Sequence, residues 1–237
     1  MCIRDRFKFL KDLGYATISL TGLLVGLLGA AQLIPAEIER RTILTALCRP
    51  LRRWEFIAGK YLGLVLLLGT MLVVMAAGFW AVLRWKEAQL SGAEGTEAAV
   101  IQAIQAEARD VRLWQAFLLV SAKLFVISAI AVFFSTLATS TTFVIAMTLM
   151  VYFIGHLQAL AREQWLESGE TIGWILKTFL AAVSLLVPDF NLYNLIDEIV
   201  AGNAVHWRAS LEVVAYSGVY VLVLVAVAAW LFEGRDL

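Results

Sequence analysis

The densest group of charged side chains lies between residues 35 and 60, with six basic residues against three acidic ones. An excess of arginine and lysine is typical of loops that stay on the cytoplasmic side of a membrane. Such a loop binds either lipid head groups or a cytoplasmic protein, and the charges alone do not distinguish these two roles. The basic residues are Arg40, Arg41, Arg49, Arg52, Arg53 and Lys60, and the acidic ones are Glu37, Glu39 and Glu55.

Apolar residues of the same loop recur at helical spacing. Ile43, Leu44 and Leu47 fall on one face of a predicted short helix. Pro50 ends this helix, because proline has no amide donor and restrains the residue before it. A second short helix is predicted to begin at Trp54 and to lead into the next apolar run. The 35–60 loop is therefore predicted to be a compact, charged hairpin suited to docking on a partner.

Residue types that support catalysis are sparse. His156 and His206 form no metal-binding or nucleophile–base pattern, and the sequence contains neither a Gly-x-Ser-x-Gly nor a Walker motif. His156, near the end of an apolar run, is expected to be a solvated or interfacial imidazole. Cys2 and Cys48 are far apart and are expected to be unrelated free thiols. The sequence thus argues against an enzyme and predicts no directly bound metal or cofactor.

Lys123 is the one charged residue in the interior of the long apolar runs. A proton- or sodium-coupled carrier needs ionisable groups, usually acids, near the middle of the membrane. The lack of aspartate and glutamate at such positions therefore weighs against ion coupling. Lys123 either extends its ammonium to the interface or lines a pathway for an anionic head group.

Five apolar runs are long enough to cross a bilayer, which takes about 20 helical residues. Of the 237 residues, 61% are apolar and 16% charged, which is too apolar for a soluble domain. The runs lack the ten-residue alternation of a membrane barrel. The sequence therefore predicts an all-α, polytopic transmembrane helical bundle that forms one domain over residues 1–237. The five predicted spans are residues 13–34, 61–83, 116–138, 141–160 and 211–232.

A shorter apolar stretch, residues 172–187, carries Lys177 and stops at Pro188. This length suits a re-entrant or interfacial segment better than a full span. Residues 191–200 then predict a short amphipathic helix at the surface. We therefore expect a short re-entrant or interfacial helix pair before the last span. The apolar face of the amphipathic helix contains Leu192, Leu195, Ile196 and Ile199, opposite Asp197 and Glu198.

The charges of the loops predict an orientation. The basic 35–60 loop is expected in the cytoplasm, and the 84–113 loop, with four basic and five acidic residues, outside. Alternation then places the turn at 139–142 inside, the region 161–210 outside and the C-terminus in the cytoplasm. This holds if residues 172–187 do not cross the membrane.

The string EIERRTILTALCRPLRRWEFIAGKYLG, residues 37–63, resembles the signature of type-2 ABC export permeases. The similarity is closest to the branch described as multi-copper-enzyme-maturation permeases. Residues 12–14, 187–191 and 232–237 also resemble the family. The matching positions in the string are Glu37, Glu39, Arg41, Thr42, Pro50, Arg53, Gly59 and Lys60.

This resemblance implies six spans, with a re-entrant helical pair before the last one. By that alignment residues 13–34 are the second span, and the first is missing from this sequence. The implied protein is the permease subunit of an exporter, multi-pass in the inner membrane and working as a homo- or heterodimer. Its energy would come from ATP bound by a separate ATPase subunit. The loop residues implied to bind that ATPase are Glu37, Glu39, Arg41, Thr42, Ile43, Leu44, Leu47, Pro50, Arg53 and Lys60, with Lys123 as the candidate pathway residue.

A membrane scaffold without a transport pathway is the remaining alternative. Gly22, Gly26 and Gly29 form a stripe of small residues that favours close helix packing, either within the chain or between copies. The formal net charge of zero gives no indication of nucleic-acid binding. Co-purification of an ATPase would separate an exporter from a scaffold.

Overall fold

The fold is seen in a computed structural model, which describes most of the helical bundle and parts of its loops. The predicted segment 172–187 falls outside the described residues, except for Val187, and so do residues 92–111 of the 84–113 loop. The described backbone covers residues 3–39, 53–91, 112–167, 187–203 and 205–233, and the described side chains lie within 8–37, 54–89, 112–158, 187–203 and 205–233.

Five long helices dominate the chain, and each is long and apolar enough to cross a membrane. The predicted all-α bundle with five spans is therefore confirmed, and the described part contains no β-strand. The described residues also form three short elements: α2 (Pro35–Glu39), a 3₁₀ helix (Phe190–Asn194) and α6 (Leu195–Val200). The long helices are α1 (Ile3–Gln32), α3 (Arg53–Ser91), α4 (Arg112–Leu137), α5 (Thr141–Glu167) and α7 (Trp207–Glu233).

Helix α4 forms the centre of the bundle and contacts all four other long helices. A helix that is apolar on every side is expected to be buried, and α4 is buried over most of its length. Helix α3 begins at Arg53 and runs without a break to Ser91. Trp54 therefore lies in the first turn of this helix, and the second short helix predicted to begin there is continuous with the span.

The outer faces of α3, α5 and α7 carry large apolar side chains with no protein cover, such as Val74, Phe153 and Leu222. These faces suit contact with lipid, since a bilayer and not water is the solvent for them. Trp85 and Trp230 lie near the ends of the predicted spans 61–83 and 211–232 and are 61% and 72% exposed, as suits aromatic side chains at a membrane interface.

The glycine stripe of α1 packs within the chain. A Cβ atom at Gly22 would lie 2.3 Å from a methyl group of Leu124 on α4. Gly29 approaches Leu64 of α3, where an added Cβ would lie 3.0 Å from a methyl group. Of the two roles left open by the sequence, the stripe therefore serves close packing of α1 against α3 and α4.

The helices alternate in direction and so define two ends of the bundle. At one end, α1 ends beside the start of α3, and the short turn at Ala138–Ser140 joins α4 to α5. At the other end, the Tyr15 hydroxyl donates to the carbonyl of Leu113 over 2.5 Å. The segment from Val187 to Val205 lies at this second end, where Arg112 donates to the carbonyl of Gly202 over 3.3 Å.

The predicted helix at 191–200 is divided into the 3₁₀ helix and α6. A 3₁₀ helix has three residues per turn, so its faces differ from those of an α-helix. Tyr193 and Ile199 are buried, whereas Leu192, expected on the apolar face, is exposed. Asp197 and Glu198 are exposed, as predicted.

Candidate functional site

The base of the 35–60 loop is closed by contacts between its two ends. The carboxylate of Glu37, in α2, lies 2.6 Å from the ammonium of Lys60, near the start of α3. The Lys60 ammonium also donates to the carbonyl of Leu33, just beyond the end of α1. The Lys60 side chain is 15% exposed, so this pair is partly shielded from solvent. One lysine therefore joins the end of α1 and the start of α3.

Aromatic contacts extend this junction to the end of α7. The Lys60 ammonium lies 4.8 Å from the centre of the Phe56 ring. That ring stacks on Phe232 with centroids 5.9 Å apart and an interplanar angle of 19°. Phe232 and the neighbouring Ile57 are fully buried. The start of α3 is consequently fixed against two other spans, so a displacement of the loop would be transmitted to all three.

Other loop residues predicted to bind a partner are only partly described. Glu39 and Arg53 have a described backbone, at the end of α2 and the start of α3. Gly59 is exposed, with open space around the position of a Cβ atom. The structure thus brings Glu37 and Lys60 together. The remaining predicted residues lie outside the described part: Arg41, Thr42, Ile43, Leu44, Leu47 and Pro50.

A second polar cluster lies inside the bundle, around Lys123 of α4. Its ammonium is 3.3 Å from Nε2 of His156 and 5.5 Å from the centre of the Tyr152 ring. Nδ1 of His156 lies 3.0 Å from the carbonyl oxygen of Tyr152, which only accepts hydrogen bonds. We therefore assign the proton of the neutral imidazole to Nδ1, so that Nε2 accepts from Lys123.

The turn between α4 and α5 explains why these two residues meet. Lys123 lies 15 residues before Ala138, and His156 lies 15 residues after Thr141. Residues equally far from a tight helical turn lie at the same depth, here about 22 Å from the turn at 1.5 Å per residue. The antiparallel hairpin therefore sets the ammonium and the imidazole side by side.

The segment after Val187 enters the bundle and covers this cluster. The Phe190 ring stacks on His156 with centroids 5.4 Å apart and an angle of 16°. Gly155 permits this approach, because a Cβ atom there would lie 2.4 Å from the Phe190 ring and 2.7 Å from the carbonyl of Pro188. The Asn191 amide donates to the carbonyl of His156 over 3.2 Å.

Further hydrogen bonds hold this segment against α4 and α7. The Ser217 hydroxyl donates to the carbonyl of Val213 and accepts from the Tyr193 hydroxyl at 2.5 Å. Burial raises the pKa of Tyr193 to about 12, with a smaller opposing effect of the Ser217 bond, so the phenol stays neutral and keeps its donor proton. Gln115 of α4, itself buried, donates to the carbonyl of Val205 over 3.4 Å and to the Ser210 hydroxyl of α7 over 2.5 Å.

Comparison with known families decides between the classes that the sequence left open. Residues 2–237 match the family model described as ABC-2 family transporter protein. The chain belongs to the ABC-2 transporter family. No curated protein matches the sequence. This ABC-2 transporter is accordingly a multi-pass membrane permease of an ABC transporter, and its assignment to the multi-copper-enzyme-maturation branch stays a prediction.

The cluster in this ABC-2 transporter corrects the expectation for His156. His156 was expected to be solvated or interfacial, but it is half-buried between Lys123, Tyr152 and Phe190. The ammonium of Lys123 is directed at His156 of α5. The equal distances of Lys123 and His156 from the turn were the sequence signal that predicts this pairing.

Proposed function

We propose that this permease is the membrane-spanning subunit of an exporter in the inner membrane, powered by a separate ATPase subunit. The observation that carries the proposal is the junction at Lys60. It ties both ends of the 35–60 loop to α1, α3 and α7 through Glu37, Leu33 and the Phe56–Phe232 stack. Loop ends joined in this way are suited to pass a push from a partner to these three spans.

In this mechanism ATP binding closes a dimer of the ATPase, and the loop transmits that motion. Ile43, Leu44 and Leu47 would fill a groove on the ATPase. Burying an aliphatic side chain there stabilises the complex by about 1.5–3 kcal/mol each. A second permease, identical or related, would complete the transporter beside the ATPase dimer. The chain itself supplies no ATP site in this proposal.

The scaffold alternative loses its support from the sequence. Its basis was the glycine stripe of α1, and Gly22 and Gly29 are occupied by Leu124 and Leu64 of the same chain. A stripe used within one chain gives no surface for a second copy. Transport powered by a separate ATPase therefore fits the family and the 35–60 loop better than a scaffold role does.

The substitution Leu44→Asp tests the proposed docking. A carboxylate in an apolar groove would be desolvated without a partner, so the ATPase is expected to be lost together with the stimulation of its turnover. Pull-down and ATPase rates in matched membranes measure both effects. Ser91→Asp, at the end of α3 far from the loop, is the control and should change neither. If Leu44→Asp keeps the ATPase and its full stimulation, the loop is a membrane anchor and the proposal is wrong.

A further inference from the structure

Lys123 holds a positive charge deep in the bundle. Arg112 starts α4, and Lys123 follows 11 residues later, or about 16 Å along the helix axis. An ammonium at such a depth is expensive unless partners compensate it, and charged residues of this kind commonly mark transport pathways. The partners of Lys123 therefore indicate what the site is built to hold.

The described contacts leave the charge of Lys123 without a paired anion. Among the side chains that the structure describes, no carboxylate forms an ion pair with it. Its hydrogen-bond partner, His156, is neutral in the assigned tautomer. The nearby acids Asp197 and Asp189 act on the cluster only through space, the first on Lys123 and the second on His156.

The ammonium also keeps donors for a ligand. It has three N–H groups, and its described hydrogen bonds use one of them, toward His156. His156 would add a second donor if its imidazole gained a proton. The rings of Tyr152 and Phe190 pack against the His156 imidazole, and an interaction between opposite charges is stronger beside such apolar groups than in water.

We propose that Lys123 and His156 form a binding site for an anionic group, a phosphate or a carboxylate, of the molecule that this permease carries. The anion would accept from the Lys123 ammonium, with Tyr152 and Phe190 as the apolar walls. The 3₁₀ segment that bears Phe190 covers the site from one end of the bundle. That the bound molecule is transported rests on the proposed function, whereas the binding of an anion does not depend on it.

The test uses the full chain with its ATPase partner in nanodiscs of phosphatidylcholine. The probes are inorganic phosphate and dioctanoyl phosphatidate, with dioctanoylglycerol as the uncharged control. A ligand that binds the folded state raises the midpoint of thermal unfolding in a saturable way, which gives an apparent dissociation constant. We expect phosphatidate, but not dioctanoylglycerol, to stabilise the wild-type protein.

Lys123→Met and Lys123→Gln should weaken anion binding by about tenfold or more, since each removes a charge-assisted hydrogen bond. Lys123→Arg should retain binding within a few fold. Lys86→Met, at an exposed lysine near the end of α3, is the matched control and should bind as the wild type does. Stabilisation by inorganic phosphate as well would identify a site for free anions, and stabilisation by phosphatidate alone a site for lipid head groups.

Two results would overturn the site: no stabilisation of the wild type by either anion, or equal binding by wild type and both neutral variants. Pull-down of the ATPase from the same samples separates this proposal from the proposed function. Variants that keep the ATPase but lose anion binding report on the site alone. A wild-type chain that binds anions but retains no ATPase contradicts the exporter and leaves the site standing.

Discussion

Glu37 and Lys60 stand at opposite ends of one loop, yet their charged groups lie 2.6 Å apart. The Lys60 ammonium also binds the carbonyl of Leu33 and faces the Phe56 ring. The two side chains thus close the loop into a ring whose base is part of the helical bundle. Sequence resemblance had assigned both residues to partner binding, and the structure adds a bond between them.

Removing this bond is expected to loosen the loop without unfolding the bundle. Glu37→Gln should cost about 0.5–1 kcal/mol of unfolding free energy, because the pair is partly exposed. Lys60→Met should cost about 1.5–3 kcal/mol, since it also leaves the Leu33 carbonyl without its charged donor. Titration with SDS measures both values. Lys86→Gln, at an exposed lysine that donates to the Gln89 side chain over 3.2 Å, is the control and should change stability by less than either.

Gly155 should tolerate a methyl group poorly. Gly155→Ala places a Cβ atom against the Phe190 ring and the Pro188 carbonyl, and such overpacking costs about 1–3 kcal/mol. Gly218→Ala in α7 meets open space and should be neutral or slightly stabilising. Adding Phe190→Ala to Gly155→Ala should give a combined loss smaller than the sum of the two single losses. Strict additivity would show that the ring does not press on Gly155.

The orientation predicted from loop charges can be measured with cysteines placed in a background without Cys2 and Cys48. Ala46→Cys in the 35–60 loop should be protected from a membrane-impermeant thiol reagent in intact cells. Ser91→Cys, at the end of α3, should be labelled. Labelling of position 46 with protection of position 91 would reverse the orientation and remove the loop from the reach of a cytoplasmic ATPase.

The segment 172–187 is predicted to enter the membrane and return. In that case cysteines at Glu167 and Asn203 report the same, external side. Labelling from opposite sides would mean that the segment crosses completely, which would place the end of α7 outside the cytoplasm. Permeabilised cells, in which both positions should react, control for burial of the thiols.

The apolar runs of the sequence predicted the fold well, because a membrane span depends on a local excess of apolar residues. Each of the five predicted spans coincides with a helix, apart from residues 33, 34 and 138, and α3 extends past its apolar run at both ends. Those extensions carry polar residues such as Glu87, which hydropathy excludes from a span. Helix length is set by backbone bonds as well as by lipid, so the ends were predicted less well than the centres.

The candidate sites were predicted only in part. Glu37 and Lys60 were selected by resemblance to the family. Their mutual contact depends on where α1 ends and where α3 begins. Lys123 was selected because it is charged in an apolar run, but His156 was assigned to an interface. The covering ring of Phe190 lies in irregular backbone, whose path follows from the glycine at 155 and from hydrogen bonds made by Asn191. Neither the Glu37–Lys60 contact nor the position of the Phe190 ring follows from the local spacing of residues in the sequence.

The central position of α4 has a consequence for biosynthesis. Helices α1 and α3 leave the ribosome before α4, and until it arrives the glycine face of α1 lacks Leu124 as its neighbour. Helix α4 in turn leaves the ribosome before α5, with Lys123 still lacking its hydrogen-bond partner His156. The nascent chain therefore passes through a stage in which the Lys123 ammonium lacks His156. This stage lasts while about 33 further residues emerge, or several seconds at ordinary rates of synthesis. Quality-control proteases and insertases that act during this interval encounter a chain in which Lys123 still lacks its hydrogen-bond partner.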